Sequence, residues 1–176
     1  MLFQSSSLLV RRLTEADLPQ MAKWESDPRV LAYFGGRDDP HDLEQLREYN
    51  FSPNDPTQYR CLIEYDGLPI GYIQFYTQDG RGYPPHEQTW NIDLYIGEPA
   101  CWGRGIGTQL LRATAEYCLR VEHADRVLID PEAWNTRAIR CYEKAGFTKV
   151  RLLPQDEWHE GAWRDCWLME YTKRDV

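Results

Sequence analysis

The stretch Glu98-Pro-Ala-Cys-Trp-Gly-Arg-Gly-Ile-Gly-Thr-Gln-Leu-Leu111 constrains the fold of this chain more than any other. Glycines 103, 105 and 107 lie between an alternating run that ends at Ile96 and an amphipathic run that reaches about Val121. Without a Cβ, the backbone there can come close to a ligand. The helix that follows offers unpaired amides and the positive end of its dipole, which together bind an anion such as a pyrophosphate. The spacing G-x-G-x-G differs from the dinucleotide pattern G-x-G-x-x-G, and no Gly-Lys-Ser/Thr follows as a Walker loop requires. Arg104 can add a charged contact to a phosphate. A glycine-rich turn entering an ordinary helix fits the same residues. The helix stripe Ile106, Leu110, Ala113 and Tyr117, with Leu111, Thr114 and Cys118 beside it, reads as core packing.

The flanking patterns place this loop in an α/β chain. Leu8 to Leu13 reads as a short edge-like strand, and Thr14 as the cap of a helix with Glu15 and Asp17 in its first turn. Leu18, Met21, Ala22 and Trp24 carry helical spacing until Ser26-Asp27-Pro28 interrupts it, and Gly35-Gly36 marks a turn. Residues 40–49 form a polar helix, followed by a loop over 52–56. Tyr59 to Tyr65 and Ile70 to Thr77 flank Asp66-Gly67 as a β-hairpin, because Asp-Gly supplies the positive φ angles of a tight turn. Residues 78–87 read as a surface loop, and Thr89 to Ile96 as a further strand. A strand over 126–130, a helix over about 135–145 and two closing strands, 147–153 and 165–171, around a loop at 154–163 complete the pattern. With no internal repeat and no linker, residues 1–176 read as one domain.

Composition removes several functions. Hydrophobic residues at 42% and charged residues at 27% describe a globular chain. Twenty Lys+Arg against 28 Asp+Glu leave a net charge of -8, the wrong sign for tracking phosphates, so nucleic acid is not an expected partner. A cationic small molecule suits that balance better. No apolar run approaches the roughly 20 residues that cross a bilayer, and the first residues lack a basic leader, so no membrane association and a cytoplasmic location are expected. The five cysteines contain no C-x-x-C pair and read as reduced thiols. The four histidines form no H-x-x-x-H pair, so no metal site is expected.

A second block, Asp130-Pro-Glu-Ala-Trp-Asn135-Thr-Arg-Ala-Ile-Arg-Cys-Tyr142-Glu-Lys-Ala-Gly146-Phe147, makes the pair of motifs recognisable. The chain resembles the GNAT superfamily of acetyl-CoA-dependent N-acetyltransferases. Its glycine loop looks like the family's Q/R-x-x-G-x-G/A pyrophosphate motif, with Trp102 at the Gln/Arg position. The later block looks like the family's N-x-x-A-x-x-x-Y-x-x-x-G-F helix. Leu31 to Asp38, Ile96 to Pro99, Arg137 to Arg140, His159-Glu-Gly and Asp165 to Tyr171 are similar to aminoglycoside 6'-N-acetyltransferases, so the resemblance runs from about residue 8 to 171. It implies the GNAT fold, a mixed, mostly antiparallel central sheet flanked by helices. It implies acetyl-CoA as donor, held by Trp102, Gly103, Arg104, Gly105, Ile106, Gly107, Thr108 and Asn135.

Amide formation from a thioester needs a neutral amine, an oxyanion stabiliser and a proton for the leaving thiolate. Alternation along Trp90 to Ile96 puts Asn91, Asp93 and Tyr95 on one strand face, where a carboxylate is costly unless that face is wet or functional. The resemblance carries Asp93 to the catalytic carboxylate, which takes the amine proton and attracts the cation; a solvated sheet face is the alternative. It carries Tyr142 to the general acid, with a core tyrosine as the alternative. Asn135 fits a cofactor contact and a helix N-cap equally. The expected acceptor is a cationic amine, an aminoglycoside, met by Asp93, Asp130, Tyr72, Gln74 and Glu98, with Asp156, Glu157 and Glu160 as weaker candidates. A GNAT enzyme acting on another amine and a CoA-binding module without turnover both keep the glycine loop. The module would not require Asp93. Whether the chain dimerises stays open.

Overall fold

The computed structural model describes residues 1–51, 57–77, 81–84 and 86–172. The loop expected at 52–56 and residues 78–80 and 85 of the next one lie outside the described residues. The chain divides into two compact units, one of residues 1–74 and 93–104, the other of 75–92 and 105–176. Both draw on segments distant in sequence.

The first unit begins with β1 (Phe3–Ser5), paired antiparallel with β2 (Leu8–Arg12), which pairs antiparallel with β3 (Gln58–Tyr65). The strand at Leu8 is therefore not an edge, because β1 covers it; three residues are too few to show alternation. Thr14 is the N-cap residue, in a reciprocal capping box with Asp17. Its hydroxyl and its amide both donate, at 2.8 Å, to the Asp17 carboxylate at the end of a 3-10 turn over Glu15–Asp17. Helix α1 (Leu18–Trp24) follows, then the short α2 (Pro28–Leu31) capped by Asp27, which accepts from the Arg29 amide at 2.9 Å. Helix α3 (Leu43–Phe51) starts later than expected because Asp42 caps it, accepting from the amides of Glu44 and Gln45. The hairpin forms as expected between β3 and β4 (Leu68–Thr77), with Asp66 and Gly67 at φ of 51° and 77°. Leu18, Met21, Trp24, Val30, Leu46, Leu62, Tyr72 and Tyr95 make the core of this unit.

Strands β4 and β5 (Thr89–Ile96) run through both units. In the second unit β5 pairs with β6 (Arg126–Ile129) in parallel, through Trp90 opposite Val127. Then β6 pairs antiparallel with β8 (Ala162–Thr172), and β8 with β7 (Thr148–His159). The sheet is thus mixed and mostly antiparallel, as expected. The loop expected at 154–163 is instead the end of a long hairpin turning at Glu160-Gly161. A register shift between Leu153 and Glu157, a span that holds Pro154, breaks the alternation that would have marked it.

Helix α4 (Ile106–Arg120) and helix α5 (Thr136–Ala145) complete this unit. The buried face of α4 is Ile106, Leu110, Leu111, Thr114, Ala115, Cys118 and Leu119, so its centre is rotated from the expected Ala113–Tyr117 line, and Ala115 and Leu119 were missed. Phe75 anchors the core, its ring 6.0 Å from Trp90 and 5.9 Å from Tyr117.

Candidate active site

In the first unit, Asp93 stands half-buried in the middle of β5. The side-chain amide of Gln74 on β4 donates to Asp93 Oδ2 at 2.8 Å. The carbonyl oxygen of Gln74 faces two donors, Gln58 Nε2 and the Tyr72 hydroxyl, each at 3.1 Å. The Tyr72 hydroxyl also lies 3.0 Å from Asn50 Oδ1, while Asn50 Nδ2 donates to the Leu46 carbonyl at 2.8 Å. The one phenolic proton is therefore shared between two acceptors. Burial pushes the Tyr72 phenol well above its ordinary pKa, so it stays a neutral donor. Tyr72 and Gln74 share a face with each other, as the alternation predicts, but Tyr72 is only 2% exposed and acts on Gln74. Gln58 and Asn50 were missed, since neither carries a motif and both act only through this network.

Glu98 lies in the same unit with a different commitment. Its Oε1 accepts from Trp24 Nε1 at 2.8 Å, Lys23 Nζ at 2.9 Å and Gln20 Nε2 at 3.2 Å. The Trp24 and Lys23 hydrogen bonds hold its carboxyl below the usual glutamate range. This oxygen is the tie between α1 and the end of β5. Trp102 donates from Nε1 to the Ile96 carbonyl at 2.7 Å and meets Tyr33 edge-on at 6.2 Å. Gly103 takes φ of 72°, a left-handed conformation a side chain would strain, and the Arg104 guanidinium stands 5.6 Å from the Tyr65 ring centre.

In the second unit, Gly105 caps α4 with φ of 80°. The first helical bond runs from the Gln109 amide to the Gly105 carbonyl at 3.1 Å, so the amides of Ile106, Gly107 and Thr108 precede the ladder and face outward along the axis. No acidic side chain stands in that first turn. An amide set free of carboxylates, at the positive end of a helix of 15 residues, fits a pyrophosphate. The Thr108 hydroxyl donates to the Cys141 carbonyl at 3.4 Å, linking this turn to α5. Burial raises the Cys141 thiol above its ordinary pKa, which opposes a thiolate nucleophile. Asn135 is the N-cap of α5, accepting from the Ala138 amide at 3.1 Å. Tyr142 is half-buried on α5, with Phe147 6.5 Å away.

Asp130 follows β6 in this unit and is largely buried. Arg81 Nη2 donates to Asp130 Oδ2 at 2.6 Å, and Arg81 Nη1 to Asp156 Oδ2 at 3.0 Å. Burial pushes the Asp130 carboxyl above its ordinary range and Arg81 pulls it back. Asn91 on β5 donates toward the same carboxylate and, at 3.1 Å, to the Tyr76 hydroxyl. Arg81 was missed because it sits in a segment that reads as surface loop.

With the geometry in hand, the comparisons fix the class. The model of the acetyltransferase (GNAT) domain matches residues 14–154, and the chain belongs to this family of acetyltransferases, which use acetyl-CoA as donor. Among its relatives is aminoglycoside N(6')-acetyltransferase type 1 of Klebsiella pneumoniae, 30% identical over 154 residues that span 82% of this chain and 76% of that protein. The kanamycin resistance protein of Rhizobium radiobacter is 41% identical over 58 residues, 33% of this chain and 54% of that protein. Among solved structures, aminoglycoside acetyltransferase AAC(6')-Ib in complex with coenzyme A superposes with a TM-score of 0.77 at 28% identity, over 95% of both chains. Spermidine N-acetyltransferase from Vibrio cholerae superposes with a TM-score of 0.79 at 19% identity over 96% of both chains, which shows a shared fold. Among the described residues no helix is long and apolar enough to cross a membrane, and no cluster of His, Cys, Asp and Glu could hold a metal ion.

Proposed function

We propose that this chain transfers the acetyl group of acetyl-CoA to the 6'-amine of an aminoglycoside, by direct attack while both substrates are bound. The observation that carries the reading is Asp93, a half-buried carboxylate in mid-strand held by the Gln74 amide, in a chain 30% identical to an aminoglycoside N(6')-acetyltransferase. When bound, acetyl-CoA supplies the thioester carbonyl. Asp93 takes the proton of the incoming ammonium, directly or through a water, and leaves the neutral amine as nucleophile. The amides of Ile106, Gly107 and Thr108 bind the pyrophosphate, with Trp102, Gly103, Arg104, Gly105 and Asn135 as the remaining donor contacts. Tyr142 gives its phenolic proton to the departing sulfur. Asp130 meets a further ammonium of the acceptor. The reaction belongs in the cytoplasm, and antibiotic resistance is its consequence.

Release of CoA, followed spectrophotometrically against a panel of kanamycin, ribostamycin, spermine and simple amines, tests this. Kanamycin-dependent release is expected, and Asp93→Asn should lower kcat by about 10²- to 10⁴-fold at neutral pH. Release with spermine alone moves the acceptor to polyamines. CoA binding without release for any amine makes the chain a binding module. Full activity of Asp93→Asn removes the base from Asp93.

A further inference from the structure

The ion-paired group around Asp130 has a feature that acetyl transfer does not call for. Two carboxylates set to receive an ammonium already hold a cation, and it is part of the same chain. Arg81 reaches both with separate nitrogens, at 2.6 Å to Asp130 and 3.0 Å to Asp156. The three side chains are shielded but not sealed, at 23%, 14% and 29% exposed. Arg81 itself has φ of 34°, a left-handed backbone that strains a residue with a Cβ. Its carbonyl is held by a hydrogen bond from the Arg151 guanidinium.

We propose that Arg81 is a tethered cation occupying the Asp130–Asp156 pair, which an ammonium group of the acceptor must displace, and that Arg81 thereby sets the preference among amines. The inference rests on the reading of the chain as an acetyltransferase of cationic amines. Arg81 offsets one of two negative charges, so the pair attracts an acceptor less strongly than bare carboxylates would. An acceptor with several ammonium groups can trade one of them for the guanidinium while another is presented for acetylation; a monoamine has none to spare for the exchange.

The test uses the full chain with Arg81→Gln, which removes the charge and keeps most of the stem, and Arg81→Lys, which restores a charge. In CoA-release kinetics, Arg81→Gln should lower KM for kanamycin by about five-fold, with a much smaller change for benzylamine and for acetyl-CoA, while Arg81→Lys returns KM toward the parent value. Calorimetric titration with spermine, without acetyl-CoA, supplies a readout that needs no turnover: Arg81→Gln should bind more tightly than the parent. Equal or weaker spermine binding by a folded Arg81→Gln, or a KM that rises alike for every amine, overturns the proposal. If no amine is acetylated yet spermine binding tightens in Arg81→Gln, the displaced cation stands and the acetyl-transfer reading falls.

Discussion

Gln74 has to present its nitrogen to Asp93, because two donors, Gln58 Nε2 and the Tyr72 hydroxyl, already claim its oxygen. The amide cannot turn over without setting its oxygen against a carboxylate and its N–H groups against other donors. Gln74 is thus a positioning residue for Asp93, and the buried Tyr72 sets its direction. Gln74→Leu should lower kcat about ten-fold while leaving the KM for acetyl-CoA near its parent value, because it removes the amide hydrogen bond to the carboxylate and takes the acceptor from Gln58, whereas Tyr72 keeps Asn50. A merely structural glutamine would change both parameters together, and steady-state kinetics separate the two. The shared face of Tyr72 and Gln74 and the mid-strand carboxylate were legible in the alternation of β4 and β5. The amide's direction was not, since it depends on Gln58, which lies 16 positions from Gln74.

At the level of elements, the end of β5 is held to α1 by one carboxylate. Glu98 accepts from Trp24, Lys23 and Gln20, and Gly97 beside it lets the Trp24 ring lie against the backbone: a Cβ there would come within 2.2 Å of the ring. The Trp24 and Lys23 hydrogen bonds keep the folded Glu98 below the unfolded glutamate pKa of about 4.3. Its contribution to stability is therefore complete above that value and disappears as pH falls through the folded one. Glu98→Gln should lower the Tm at pH 7, with the gap to the parent shrinking as pH is taken from about 5 toward 3, by thermal unfolding across that range. A gap that stays constant with pH would assign the loss to packing. Elements of this kind were readable where one cue decided them: Asp66-Gly67 for the hairpin, Asn135 for the start of α5. They were misread where the cue was a pairing, as with β1 and the outer half of the β7–β8 hairpin.

For the whole molecule, the net charge of -8 acts at long range on any polycation. Raising ionic strength from about 0.02 to 0.3 M should raise the KM for kanamycin severalfold, with little change in kcat, because screening acts on the encounter. An unchanged KM would confine the attraction to contact range. Periodicity, turn residues and the two motifs alone determined the α/β class, the GNAT resemblance and the residues to inspect, since each is written within a few positions along the chain. Only the tertiary structure decided which partners each carboxylate meets. Glu98 meets Trp24 across 74 positions and Asp130 meets Arg81 across 49, and the charge of a side chain says nothing about which distant partner folding brings within 3 Å. Three acidic residues of like charge thus differ as a proposed base, a structural tie and a carboxylate already paired with a guanidinium, because their surroundings come from chain segments far apart in the sequence.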